Sequence, residues 1–208
     1  MKGKFVTIEG CEGAGKSTQV RLLCEYLDEH NIDYFLTREP GGTQVSEKIR
    51  EIILDKNNEI SPECEALLYS SSRVQLLKEK ILPYLADGKL VICDRYYDSS
   101  FAYQAYARGL GKEFVEKINV FALTYGVPDL TVFLDINSSD AFLRKGGADK
   151  NDRIELLGNE FHQKVYSGYK KLQADNPDRI ISVDCSGTKY ETNKKIVALL
   201  KEKGIINV

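Results

Sequence analysis

Residues Gly10 to Ser17 read Gly-Cys-Glu-Gly-Ala-Gly-Lys-Ser, a full match to the pattern G-x-x-x-x-G-K-[ST]. The apolar run Phe5–Ile8 precedes it and a helical pattern opening at Thr18 follows it, so strand, glycine loop and helix come in the order this chemistry needs. The glycines let backbone N–H groups turn inward around a phosphate, and the helix N-terminus adds the positive end of its dipole. Lys16 can reach β- and γ-phosphates and the Ser17 hydroxyl can ligate Mg²⁺. The segment Gly10, Cys11, Glu12, Gly13, Ala14, Gly15, Lys16, Ser17 and Thr18 is therefore read as a triphosphate site.

Two further segments carry groups suited to phosphate chemistry. Leu90-Val-Ile-Cys-Asp94-Arg95 is an apolar strand ending in a carboxylate that can hold Mg²⁺, next to a guanidinium fork for phosphate. Asp135 and Asp184 also end apolar runs; the neighbouring arginine favours Asp94. Thr37-Arg38-Glu39-Pro40-Gly41-Gly42 brings an arginine and a carboxylate to the end of another strand, and Arg50 on the next helix can point back to it. Locally these residues are equally compatible with a turn and surface ion pairs. Tyr69 and Arg73, four apart, share a helix face, as do Ser100, Tyr103 and Gln104. Either set could line a nucleobase pocket, although aromatics at helical spacing more often fill a core.

The elements that must position these groups are readable in outline. Strand-like runs recur at Phe5–Ile8, Tyr34–Thr37, Leu90–Cys93, Leu130–Asp135 and Ile180–Val183. Helical patterns lie between them at about 16–30, 44–54, 61–86, 99–107, 112–125, 138–145, 160–175 and 188–203, with Ser61-Pro62 opening the third and Pro83 disturbing its end. This alternation predicts an α/β fold with a five-stranded parallel sheet and helices on both faces. Ligands in such sheets bind beyond the carboxyl ends of the strands, so the three segments should converge on one cleft. The chain of 208 residues is read as a single domain, 1–208, with the glycine-bearing polar stretch at about 145–153 as a connection or a short lid.

Composition narrows the function classes. A net charge of −2 gives no bulk attraction to nucleic acid, so any anion site must be local. Apolar runs are too short for a membrane span, and the first strand starts without a signal-peptide pattern. Five scattered cysteines suit reduced thiols in a cytoplasm, and two histidines argue against a histidine-rich metal site. A guanine-reading Asn-Lys-x-Asp segment, expected of a GTPase-type switch, is missing: Asn193-Lys194-Lys195-Ile196 lacks the aspartate. A kinase for another monophosphate, or for a deoxynucleoside, is the neighbouring reading.

In order along the chain, Gly10–Ser17, Thr37-Arg-Glu-Pro-Gly-Gly42, Asp94-Arg-Tyr96 and Ser99-Ser-Phe-Ala-Tyr-Gln104 closely resemble the bacterial thymidylate kinases, and Pro128-Asp129 and Asp152-Arg-Ile-Glu155 continue the match. The resemblance implies a P-loop nucleoside-monophosphate kinase fold and transfer of the γ-phosphoryl group of ATP, with Mg²⁺, to dTMP, giving dTDP and ADP. It implies that Lys16 binds the triphosphate, that Ser17 and Asp94 serve the metal, and that Glu12 accepts from the sugar 3′-OH. Arg38, Arg50 and Arg95 would surround the dTMP phosphate beside Glu39. Tyr69 would stack on thymine, Arg73 would donate to its O4, Ser100 and Gln104 would complete base recognition, and Tyr103 would fill the place of a ribose 2′-OH. With Gly13 in the loop, the lid must supply a cation. Gly146 and Ala148 stand where some relatives have arginine, which leaves Arg144, Lys145, Lys150 and Arg153, and Arg153 is preferred because it stands in the Asp152-Arg-Ile-Glu155 run. Arg153 is accordingly expected to matter more to turnover than to dTMP affinity. A homodimer packed through helices on one face is also implied, with neither nucleic acid nor membrane as partner.

Replacing Lys16 by alanine should leave the fold intact and cut turnover by about 10²–10³. A folded K16A variant with near-normal turnover would remove the P-loop assignment.

Overall fold

The computed structural model describes residues 3–145 and 153–207. Five strands, β1 (Lys4–Glu9), β2 (Tyr34–Arg38), β3 (Leu90–Asp94), β4 (Leu130–Asp135) and β5 (Ile180–Asp184), form one sheet. Their order is β2-β3-β1-β4-β5, and every pairing is parallel. Each strand falls on a run picked out by its apolar residues, β4 with the same bounds and the other four extended by one or two residues. Register places Ile8 and Arg38 on either side of Asp94, so the ends of β1, β2 and β3 lie in one row.

Alternation along the strands divides the core in two. Phe5, Val91, Cys93 and Phe133 face one layer, packed against Leu76, Leu77 and Ile81 and against Val165, Tyr169 and Leu172 of α9 (Gly158–Asp175). Val6, Ile8, Ile92, Val132 and Leu134 face the other, against Leu23 and Leu27 of α1 (Lys16–Glu29) and Ile196 and Leu200 of α10 (Lys189–Glu202). α10 opens on a full capping box between Thr188 and Glu191.

Three helical segments depart from the sequence reading for local reasons. The expected helix to Ala86 is α3 (Pro62–Leu76), a π-helical stretch Leu77–Ile81 and α4 (Leu82–Ala86). Ser61 caps its start, accepting from Cys64 N at 3.3 Å, and the widened stretch just before Pro83 accommodates the proline's missing N–H. The helix expected from Ser99 begins at Tyr97 as α5 (Tyr97–Ser100) and widens to π geometry over Phe101–Ala107. The helix expected over 112–125 is two, α6 (Lys112–Ile118) and α7 (Val120–Tyr125), divided at Asn119. The side chain of Asn119, 1% exposed, is committed to Val115 O and to Arg73, so tertiary pairing holds the break. Helices α2 (Gln44–Leu54) and α8 (Ser138–Lys145) match their expected positions.

A polar layer ties the apolar face of the sheet to α5. The Thr7 and Thr131 hydroxyls meet at 2.8 Å, Thr131 donates to Asp98 at 3.0 Å, and Arg179 grips both Asp98 oxygens at 2.6 and 2.8 Å. Asp98 is 1% exposed, so its charge depends on this partner. Replacing Arg179 by methionine should cost about 3–5 kcal/mol of unfolding free energy, by leaving an uncompensated buried carboxylate. Adding Asp98→Asn should recover part of it. Denaturant titration checks this, and a loss below about 1 kcal/mol would show that solvent reaches Asp98.

Candidate active site

The glycine loop runs from the end of β1 into α1, whose N-cap, Gly15, has φ +91° and provides no side-chain cap. The first N–H groups of α1 therefore have no side-chain acceptor of their own, and an anion can take that place. Lys16 folds back over the loop, donating to Gly10 O at 3.2 Å and Cys11 O at 2.9 Å. Burial lowers the pKa of its ammonium and repulsion from Arg95 adds to this, so a phosphate beside it would relieve both.

Arg95 leaves β3 with φ +68°, a conformation that costs a non-glycine residue about 1–2 kcal/mol. The turn aims its guanidinium across the sheet end: Nη1 donates to Gly10 O at 3.0 Å, Nη2 pairs with Glu12, and the group lies 5.2 Å from the Tyr103 ring centre. The Tyr103 hydroxyl donates to the same Glu12 oxygen at 3.1 Å. The turn is held by Glu9, fully buried, which accepts from Tyr96 N at 2.7 Å, Ser99 N at 3.3 Å, Ser99 Oγ at 2.6 Å and Tyr169 OH at 2.7 Å. Burial raises the Glu9 pKa and nearby Asp98 adds to it, while Arg95 and these hydroxyls oppose them.

On the other side, β2 delivers Arg38 and the cis peptide bond Glu39–Pro40. Gly42, at φ +84°, lets the backbone pass where a Cβ would come within 2.4 Å of Thr37 Oγ1 and 2.7 Å of Leu76 Cδ1. Glu47 braces the turn, accepting from Gly42 N at 2.7 Å and from Arg38 at 2.9 Å. Arg50 donates to Pro40 O at 2.9 Å.

These parts enclose a cleft of about 640 Å³, within the range of small-ligand sites. Of the residues read from sequence, Glu12 through Thr18, Arg38, Glu39, Arg50, Tyr69, Asp94, Arg95, Ser100, Tyr103 and Gln104 line it. Gly10 and Cys11, at the start of the loop, do not line the cleft. Arg73 is not at the surface of the cleft: it is 1% exposed, paired with Glu39 at 2.7 Å, and donates to Asn119 and to Tyr96 O. Arg153, expected over the triphosphate, is placed elsewhere. Its Nη2 meets Glu65 at 2.6 Å and its Nε meets Ile53 O at 2.9 Å, because α2 and α3 offer acceptors there. Arg144 does line the cleft, holding Cys185 O at 2.6 Å and Ser186 O at 3.1 Å. Of the expected lid, residues 146–152, including Lys150, lie outside the described residues.

Several supporting residues escaped the sequence reading. Glu9 had one signal, a carboxylate ending a buried strand; Glu47, Glu65, Asn119 and Tyr169 had none, since their partners are distant in the chain. Four polar atoms of residues lining the cleft are buried without a hydrogen-bond partner among the described residues: Gln19 Oε1, Glu39 Oε1, Asp94 Oδ1 and Ser100 Oγ. Buried polar groups are rarely left so, which fits a site completed by a polar ligand.

Arg95→Gly keeps the left-handed turn and removes the guanidinium, whereas Arg95→Ala also strains the backbone. Both should abolish most turnover, and the alanine variant should unfold about 1 kcal/mol more easily than the glycine one. Equal stability of the two in denaturant would show that the turn relaxes.

The profile of the thymidylate kinase family matches residues 8–196. The chain is 46% identical to the thymidylate kinase of Thermoanaerobacter sp. (strain X514) over 202 residues, 97% of this chain and 99% of that one. It is 48% identical to that of Caldanaerobacter subterraneus subsp. tengcongensis, over 97% of each chain. It is 44% identical to that of Clostridium novyi (strain NT), over 96% of this chain and 99% of that one. With the loop, sheet order and cleft already described, the chain belongs to the thymidylate kinase family of phosphotransferases.

Proposed function

We propose that this protein transfers the γ-phosphoryl group of ATP to dTMP in the cleft described above, giving dTDP and ADP. The observation that carries the reading is one continuous cleft lined by a P-loop, by Arg95 against that loop, and by Arg38 and Arg50 from β2 and α2. Two phosphorylated substrates can thus be aligned in line, and alignment with charge neutralisation is most of what phosphoryl transfer requires.

Lys16 leaves Gly10 O and Cys11 O to meet the β- and γ-phosphates. Arg95, fixed by Glu12 and Glu9, faces the transferring group; Arg38 and Arg50 hold the acceptor phosphate. An acceptor phosphate oxygen is already anionic, so no strong general base is needed. Ser17 at the head of α1 and the unpartnered Asp94 Oδ1 suit a hydrated Mg²⁺, which supplies charge neutralisation on the phosphates when bound. Tyr69, Ser100 and Gln104 form the base side of the acceptor pocket, with Arg73 behind it, and Tyr103 with Glu12 forms the sugar side. In this reading Arg144, on the cleft wall, serves the triphosphate side, and Arg153, paired with Glu65, braces the acceptor side; their hydrogen bonds support these parts.

The protein is read as one kinase domain working in the cytoplasm as a homodimer. Five free cysteines support the compartment, and the exposed Leu67, Val120, Tyr125 and Val127 on and beside α3 and α7 offer a face to a second copy. No described helix is long and apolar enough to cross a membrane.

A coupled assay of ADP release over a panel of monophosphates tests the reading. The expected order is dTMP, then dUMP lower in kcat/KM by roughly 10–200-fold for one lost methyl, with dCMP and UMP well behind. Replacing Tyr103 by a smaller residue should relax sugar discrimination more than base discrimination. dCMP turning over as well as dTMP would overturn the thymine pocket.

A further inference from the structure

Glu65, on α3 and 1% exposed, is used by no step above, yet it touches the base side of the acceptor pocket. Its carboxylate accepts from Gln104 Nε2 at 3.0 Å, from Arg108 Nε and Nη2 at 3.2 and 2.8 Å, and from Arg153 Nη2 at 2.6 Å. Arg153 is fixed in turn by Ile53 O and, through its backbone N–H, by Leu54 O at 3.2 Å.

An ionised carboxylate only accepts hydrogen bonds, whereas a carboxamide donates from one end and accepts at the other. Beside Glu65, Gln104 can therefore adopt one orientation. Turned over, its Oε1 would face a carboxylate oxygen and its NH₂ would lose its partner in a buried place, the costly kind of defect. The two arginines keep Glu65 in its accepting state: burial pulls its pKa up, and the donors of Arg108, Gln104 and Arg153 more than offset this, leaving it below the usual carboxylate value. The orientation directs Oε1 away from Glu65, and Gln104 lines the cleft beside Ser100 and Tyr69.

We propose that Glu65 is a positioning residue for base selection: it locks the Gln104 carboxamide so that Oε1 presents an acceptor to N3 of the pyrimidine. The pocket then takes bases that carry an N3–H, thymine and uracil, and rejects cytosine, whose N3 is itself an acceptor. The proposal rests on the dTMP reading above and adds to it the group that sets the direction of the amide.

The test measures kcat/KM for dTMP and dCMP, at saturating ATP and Mg²⁺, in the unmodified protein, E65Q, Q104M and the E65Q/Q104M double variant. E65Q introduces an NH₂ that can meet Gln104 Oε1, so the amide is free to turn. The dTMP/dCMP ratio should fall by roughly 10–100-fold in E65Q, mostly through KM, and by a similar factor in Q104M. E65Q in the Q104M background should lower the ratio no further. An unchanged ratio in E65Q, or an equal drop with and without Gln104, would overturn the proposal and reduce Glu65 to a structural partner of the arginines. Should E65Q fail to fold, E65Q/R108Q removes the guanidinium left short of a partner and is read against the same two outcomes. Failure of the dTMP reading itself would appear differently, as an unmodified protein that prefers another monophosphate.

Discussion

The turn that carries Arg95 into the cleft hangs on the buried carboxylate of Glu9. It gathers the N–H groups of Tyr96 and Ser99 and the hydroxyls of Ser99 and Tyr169 onto one point. Those bonds compensate the removal of a charge from water, and they hold the chain after β3 in a turn that Arg95 would not otherwise adopt. Glu9 lies on the face of β1 that carries Phe5 and Thr7, so the same strand that fills the core also fixes the guanidinium. Loss of Glu9 would release Arg95, and with it the Glu12 and Tyr103 arrangement at the sugar side.

Four arginines in and behind the cleft share a design: each is paired with a carboxylate before substrate arrives. Arg95 is held by Glu12, Arg38 by Glu47, Arg73 by Glu39, and Arg153 by Glu65. Lys16 and Arg144 rest instead on carbonyl oxygens, and burial destabilises Lys16 as an ion. Weak neutral acceptors are easily exchanged for phosphate oxygens, whereas a buried carboxylate is not. The cleft therefore combines charges fixed by carboxylates with cations, Lys16 among them, that can turn to the triphosphate, and a preorganised field costs no rearrangement during transfer.

The π-helical stretch Phe101–Ala107 marks where the fold departs from regular helix to serve the site. Phe101–Ala107 carries Tyr103 and Gln104 to the cleft while Ala102 stays packed near Gly168, where a Cβ on the glycine would lie 3.2 Å from the Ala102 Cα. Close approach of α9 to this segment also brings Tyr169 to Glu9. Widened turns of this kind recur at functional sites because they redirect side chains without ending the helix.

Sequence by itself determined the parts whose chemistry is local. The P-loop, the strand-end Asp94-Arg95, the Arg38–Gly42 turn and the parallel alternation of strands and helices all rest on neighbouring residues, so spacing reveals them. Side-chain targets of the arginines were decided only by tertiary structure. Arg73 and Arg153 look like substrate ligands in a linear reading, yet the fold gives them Glu39 and Glu65, thirty-four and eighty-eight residues away. The break at Asn119 and the orientation of Gln104 likewise depend on partners from other helices. A charged group buried in a fold must find its counter-charge wherever packing brings one, and no local pattern records that distance.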